Sequence, residues 1–181
     1  MLCNRLVFFA LVIAQLGLVF YLSARADRLA PGTAAGLFAI YSALTGVTLS
    51  VILLVYTGES VTMTFVVTAG MFGALALFGS TTKRSLAGAG QFFMMGLIGL
   101  ILASIIGMFW HNDALQFLIS VVGVIVFTGL TAYDAQRLKQ MALAVPAGQA
   151  GSYAVVGALS LYLNFINLFL MLLRFTGSRR S

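Results

Sequence analysis

Residues 85–110 read SLAGAGQFFMMGLIGLILASIIGMFW and contain no charged side chain. As an α-helix this stretch would run about 39 Å at 1.5 Å per residue, longer than the roughly 30 Å hydrocarbon layer of a bilayer. Five further runs behave in the same way, at residues 6–24, 32–57, 60–82, 114–133 and 153–173. The breaks between them are short and chemically sharp: Arg25 to Pro31, Gly58 with Glu59, Lys83 with Arg84, and His111 to Asp113. A longer connection from Asp134 to Ser152 holds Pro146, Gly148 and Gly151. Backbone groups in lipid need internal partners, and the runs do not alternate with period two, so helices are expected rather than a barrel. The expected architecture is all-α: a single transmembrane domain over residues 1–181, built as a polytopic bundle of six helices.

Composition leads to the same place. The 181 residues are 61% hydrophobic and 8% charged, against roughly 25% charged in an ordinary soluble domain. With a mean hydropathy of +1.08, a soluble fold of this size could not hide its apolar side chains. The net charge of +6 comes from basic residues at the ends of apolar runs, where they meet headgroups; no basic helix or stripe exists for nucleic acid. Cys3 is the sole cysteine and His111 the sole histidine, which excludes an internal disulfide and His-rich or Cys-rich metal sites. The lipid bilayer is the expected partner, and no cofactor is expected.

The first run follows Arg5 and ends in Ala24, Arg25 and Ala26, a loose match to a signal-peptide cleavage site; its length favours a retained helix. Arg25 and Arg28, Lys83 and Arg84, and Arg137 and Lys139 fall on alternate connections and are expected on the cytoplasmic side of a bacterial inner membrane. A full sixth crossing then places Arg174, Arg179 and Arg180 outside, against that rule; its 21 uncharged residues at 153–173 nevertheless favour a full span. Gly99, Ala103 and Gly107, and Ala69 with Gly73, have the four-residue spacing that lets helices approach closely, although Gly and Ala are common in membrane helices anyway.

Asp134 is the outlier among four acidic residues, since it ends the fifth run while Asp27, Glu59 and Asp113 sit in connections. A carboxylate at that depth is costly unless paired, hydrogen-bonded or protonated, which makes it a candidate for an ion or proton path; pairing with Arg137 at the interface is the plainer alternative. In the last run Ser160, Asn164, Asn167, Met171 and Arg174 share one helical face. That face should turn inward, making the last helix central, either as part of a path or as interhelical glue. Arg174 is an anchor at the headgroups or a latch to another segment. His111 is an interfacial residue or a pH-sensitive one, and Tyr133 and Tyr162 either bracket the polar site or pack.

Two segments, GLTAYDAQRLKQM (Gly129–Met141) and ALSLYLNFINLFLMLLRFTG (Ala158–Gly177), resemble the signature segments of the Bax inhibitor-1 family, the transmembrane Bax inhibitor motif proteins. YSALTGVTLS (Tyr41–Ser50) and TTKRSL (Thr81–Leu86) resemble its bacterial branch. The resemblance implies a bundle, usually of seven helices, with the last surrounded by the others; this chain matches six, as if the first were missing. It also implies similarity to pH-sensitive calcium leak channels. In the family an Asp at the position of Asp134 pairs with a second Asp in the last helix, and the two share a proton. Here Asn164 stands at that second position. Asn hydrogen-bonds but does not ionise, so the proton coupling is weakened and cation attraction falls by one charge. By the same analogy Arg25 or Arg28 would partner Asp134 and hold the path closed.

The expected function is an inner-membrane calcium leak with a gate at Asp134, to which Asn164 and Asn167 contribute, Asp134 being the candidate calcium ligand and protons the other candidate ion. The alternative is a non-conducting adaptor that binds other membrane proteins. An enzyme is not expected, for the sequence offers no HExxH, no Ser-His pair and no paired Asp.

Overall fold

The computed structural model describes residues 2–25, 28–110 and 112–180; Asp27 and His111, with the interfacial or pH-sensitive role expected of the latter, lie outside the described residues. Six helices follow one another: α1 (Leu2–Ala24), α2 (Pro31–Leu53), α3 (Gly58–Thr81), α4 (Ala87–Phe109), α5 (Asp113–Ala144) and α6 (Ala150–Thr176). Their starts are set by the few polar or constrained residues between the apolar runs. Pro31 opens α2, where its missing N–H costs nothing. Thr57 caps α3 by accepting from the Ser60 N–H, and Asn112 caps α5 by accepting from the Ala114 N–H at 2.9 Å. Glu59 and Asp113 sit in the first turns of those helices, against the positive end of each dipole.

Two boundaries differ from the sequence expectation. α5 does not end at residue 133 but continues to Ala144, because residues 134–144 are good helix formers and the first breaker is Pro146, which holds Val145 extended. Asp134 therefore lies inside a helix rather than at its end. The second run stops at Leu53, not 57, because the C-terminal tail pairs with the backbone beyond it: the Arg180 N–H donates to Val55 O and the Thr57 N–H to Ser178 O. The remaining ends shift by up to four residues.

Helices α2 to α6 are each long and apolar enough to cross a membrane, and α1 adds the apolar stretch Ala10–Ala24. The outer surface is apolar, with Phe20, Met63, Phe92, Phe109 and Ile125 all more than half exposed, as suits hydrocarbon and not water. The interior is the more polar part, enclosing Thr45, Thr68, Ser120, Thr131, Gln136 and Asn164. Most hydroxyls there bond to the carbonyl four residues back, as Thr68 does to Thr64 and Thr131 to Phe127, both at 2.7 Å.

α6 is central, and α5 shares that position. α5 packs on α3, α4 and α6; α6 packs on α5, α3 and α2; α1 packs chiefly on α2. Gln15 ties α1 to α2 by donating to Leu44 O and Thr48 Oγ1, and Leu22 of α1 is buried with Tyr41 and Leu159. Between α4, α5 and α6 lies the main core of Leu100, Val126, Phe127, Leu130, Leu168 and Leu172. A ladder of edge-on rings, Phe65 and Phe72 of α3 against Phe165 and Phe169 of α6, fills the α3–α6 seam. The close approaches are not made by the Gly99, Ala103, Gly107 stripe as a whole. Gly99, Ala69 and Gly73 have open space beside them or face outward, while Ala103 packs against the main core and Gly107 is pressed by Gln116. Contact is made instead at Gly79 against the Ala132 carbonyl, Gly90 against Tyr133, Gly129 against Phe93, and Gly157 against Leu138.

The ends of the helices sort into two faces. Ser152 at the start of α6 donates to Leu29 O beside α2, and Lys139 of α5 donates to Ser80 O near the end of α3. This basic face carries Arg25, Arg28, Lys83, Arg84, Arg137 and Lys139. At the opposite face the Ser178 N–H donates to Ser60 Oγ, and the tail meets Tyr56, so α6 crosses fully and Arg174 and Arg179 lie away from the other basic residues.

Gln136 is a clasp. Its amide donates to Arg84 O at 2.8 Å and its carbonyl accepts from the Leu86 N–H at 2.8 Å, pinning the α3–α4 connection to α5. Thr128 Oγ1, by contrast, is buried without a partner among the described residues. Gln136→Leu is expected to cost about 1 to 3 kcal/mol by orphaning backbone groups, whereas Thr128→Val should be neutral or stabilising. Thermal unfolding of the purified variants in detergent checks both.

Candidate functional site

Asp134 sits on the face of α5 turned toward α6, roughly 15 Å along the helix from its end at Ala144. α6 presents Ser160 and Asn164, one turn apart, to the same carboxylate oxygen. Ser160 Oγ donates to Asp134 Oδ2 at 2.6 Å, and Asn164 Nδ2 donates to it at 2.7 Å. Both are short side-chain bonds across the α5–α6 seam. Asn164 is buried while Asp134 and Ser160 are half-buried. Gly157 sets the approach: one turn before Ser160, it lets Leu138 of α5 lie against the α6 backbone. A side chain there would push the helices apart and pull both donors off the carboxylate.

Beside this triad a cavity of about 240 Å³ is lined by Ser23, Asp134, Arg137, Met141, Gly157 and Ser160. Asp134 Oδ1 accepts no hydrogen bond among the described residues and is not among the buried unpartnered atoms. Arg137 shares the cavity without bonding to the carboxylate, so the simple ion pair is not formed. On the opposite face a wider vestibule of about 790 Å³ is lined by Ser104, Asn112, Asp113, Gln116, Ser120 and Arg174, among others. Ser120 and Asp134 are fourteen residues apart on α5, about 21 Å. Phe127, Leu130, Leu168 and Leu172 fill the space between.

The other residues singled out from sequence are placed as follows. Asn167 does not join the triad; its amide donates to Leu163 O on its own helix at 2.9 Å. Arg25 lies over the Tyr21 ring, 5.8 Å from its centroid, and neither it nor Arg28 is a hydrogen-bond partner of Asp134. Tyr133 packs on Gly90, and Tyr162 meets Phe38 and Tyr41 edge-on, so both are packing residues. Arg174 is exposed at the vestibule with Arg179 and Asp113. Ser160 belongs to the polar stripe of α6 but was not picked out as Asp134's partner. Gln136 and Gln15 were missed; a polar side chain mid-helix in lipid needs a partner, and that was the signal. Toward a cation, Asp134, Ser160 and Asn164 together offer one carboxylate, one hydroxyl and one amide oxygen. Among the described residues no group of three His, Cys, Asp or Glu side chains is assembled. Hard cations take six or more oxygens, more than these three side chains supply.

The family described as inhibitor of apoptosis-promoting Bax1 matches residues 1–181. The chain belongs to the Bax inhibitor-1 family. It is 52% identical over 180 residues to "Inner membrane protein YbhL" of Escherichia coli (strain K12), covering 98% of this chain and 77% of that relative. A protein of Borreliella burgdorferi is 47% identical over 180 residues, covering 98% of this chain and 78% of its own length. A Deinococcus radiodurans protein is 45% identical over 170 residues, covering 93% and 74%. With its membrane-spanning helices, this Bax inhibitor-1 family chain is a multi-pass inner-membrane protein.

Asn164 decides what holds Asp134. Asn164→Leu should destabilise the protein by about 1 to 3 kcal/mol by removing a buried hydrogen bond across the seam. Asn164→Asp would put two carboxyls at hydrogen-bond distance, where one proton is retained in the folded state. Two adjacent carboxylates repel once the shared proton is lost, so the stability of this variant falls as pH rises. Unfolding midpoints measured across pH for the two variants and the parent check this; a parallel profile for the Asp variant and the parent would sink it.

Proposed function

We propose that the chain is a cation-permeable leak of the inner membrane, with calcium as the permeant ion and the α5–α6 seam as its path. The observation that carries this reading is the half-buried Asp134 carboxylate at a cavity of about 240 Å³ on the basic face, in line along α5 with the vestibule of about 790 Å³ opposite. A carboxylate inside a membrane protein marks an ion pathway by default, and a hard cation favours oxygen ligands. The apolar plug of Phe127, Leu130, Leu168 and Leu172 closes this conformation. Such constrictions exclude water and ions until the helices part.

Residue by residue, Asp134 attracts the cation, and its two hydrogen bonds from α6 hold the seam shut. A cation that draws the carboxylate toward itself competes with Ser160 and Asn164 and loosens that tie. Asn164 removes the second carboxyl, so the leak is expected to vary little with pH. No catalytic step is assigned, because beside the half-buried acid stand an amide and a hydroxyl, not a second acid or base.

The adaptor reading has its own support: Arg174 and Arg179 outnumber Asp113 at the vestibule and repel cations there. Calcium flux into proteoliposomes between about pH 6 and pH 8 separates the two. For a leak, Asp134→Asn lowers flux about tenfold through loss of one attractive charge, and Asn164→Asp makes flux pH-dependent. An adaptor shows no flux in the folded parent or in either folded variant.

A further inference from the structure

The seam between α3, α4 and α5 carries two concavities that the Asp134 site does not use. One is a polar pocket of about 200 Å³ at the basic face, lined by Ser80, Lys83, Ser85, Gln136, Lys139 and Gln140 among others. The second is an apolar groove of about 370 Å³, whose walls include Leu75, Phe78, Phe93, Val124, Ile125 and Ala132. They lie end to end. On α3, Phe78 of the groove is followed by Gly79 of the pocket; on the connection Leu86 adjoins Ser85; on α5 Ala132 stands one turn from Gln136.

Charge, reach and surroundings all point to one kind of occupant. The pocket holds two lysines and no acidic side chain. Lys139 is held in place, its Nζ donating to Ser80 O at 2.7 Å, and Gln136 pins the backbone of Arg84 and Leu86 on either side of Ser85. Along α5 the distance from Gln136 to Val124 is about 18 Å, close to the roughly 15 Å depth of one hydrocarbon leaflet. The groove opens toward lipid, where Phe78 and Ile125 are 55% and 57% exposed. A soluble ligand has no access to that depth, and an ion alone would leave the groove empty. Basic pockets between transmembrane helices are suited to phospholipid headgroups.

We propose that this seam binds an anionic glycerophospholipid, its phosphate seated between Lys83 and Lys139 and one acyl chain lying in the groove against α3, α4 and α5. The bound lipid braces the α3–α4 connection from outside, as Gln136 does from within.

The test uses the purified full chain in detergent, titrated with phosphatidylglycerol, with phosphatidylcholine of the same chains, and with inorganic phosphate. Thermal unfolding and retained lipid adducts in native mass spectrometry are the readouts. Phosphatidylglycerol should raise the unfolding midpoint and stay bound, with the other two probes ineffective. Lys83→Gln with Lys139→Gln should weaken binding roughly thirtyfold, at about 1 kcal/mol per lysine. Replacement of both by arginine should retain binding. Ala89→Phe, which fills the groove and keeps both lysines, should lose the adduct independently. Arg28→Gln, on the same face but away from the seam, should not change it. Equal stabilisation by phosphate would make the pocket a free-anion site and overturn the proposal. So would equal retention of phosphatidylcholine, unchanged affinity in the double lysine variant, or the same loss in Arg28→Gln.

Discussion

Helices in hydrocarbon gain nothing from hiding apolar side chains from one another, because the lipid is as apolar as they are; close packing and polar ties must hold them. In this bundle the tie is the Asp134 carboxylate, which takes two hydrogen bonds from α6 into one oxygen. It fixes the register of α6 on α5, and that register lets Leu138 settle on Gly157 and Met171 on Gly123. α3 and α4 also pack on α5, where Gln136 pins their connection. A single carboxylate thus joins the two central helices and carries the candidate chemistry.

Much of this was legible in the sequence because membranes make polarity expensive. The six helices followed from length and hydropathy, and the inward face of α6 from the spacing of Ser160 and Asn164. What was not legible depended on geometry across helices. Asp134 was placed at a helix end because its neighbours Gln136, Arg137 and Lys139 are polar, yet these residues are good helix formers and the chain coils on to Ala144. The small-residue stripe of α4 is only part of the packing, because spacing alone does not say which face meets a neighbour: Ala103 and Gly107 make contacts and Gly99 does not, while Gly79, Gly90, Gly129 and Gly157, with no shared pattern, make the closest ones. Arg25 could have reached Asp134 on sequence grounds, but Tyr21, four residues earlier on the same side of α1, offers its ring at far smaller cost.

The Asn at position 164 changes the kind of tie, not its existence. A pair of acids sharing a proton is a tie whose strength depends on pH. An acid bonded to an amide and a hydroxyl keeps acceptors for both donors in either protonation state. On the proposed function this exchanges a titrating closure for a standing one, so that what loosens the seam is the arriving cation and the state of the surrounding bilayer. The proposed lipid at the α3–α4–α5 seam would act on the outer wall of the same central helix.

The interleaved rings between α3 and α6 limit how the bundle can move. Phe165 stands edge-on between Phe65 and Phe72, and Phe169 meets Phe65 again. Sliding α6 along its axis would force each ring over its neighbour at once, so lengthwise travel is blocked as in a meshed gear rack. α4 has three buried residues and packs chiefly on α5, where single rings, Phe93 on Gly129 and Tyr133 on Gly90, take the place of a ladder. Lengthwise sliding being blocked there, the α3–α6 seam is the rigid spine of the bundle, and α4, packed chiefly on one neighbour, has more room to swing than α3 or α6.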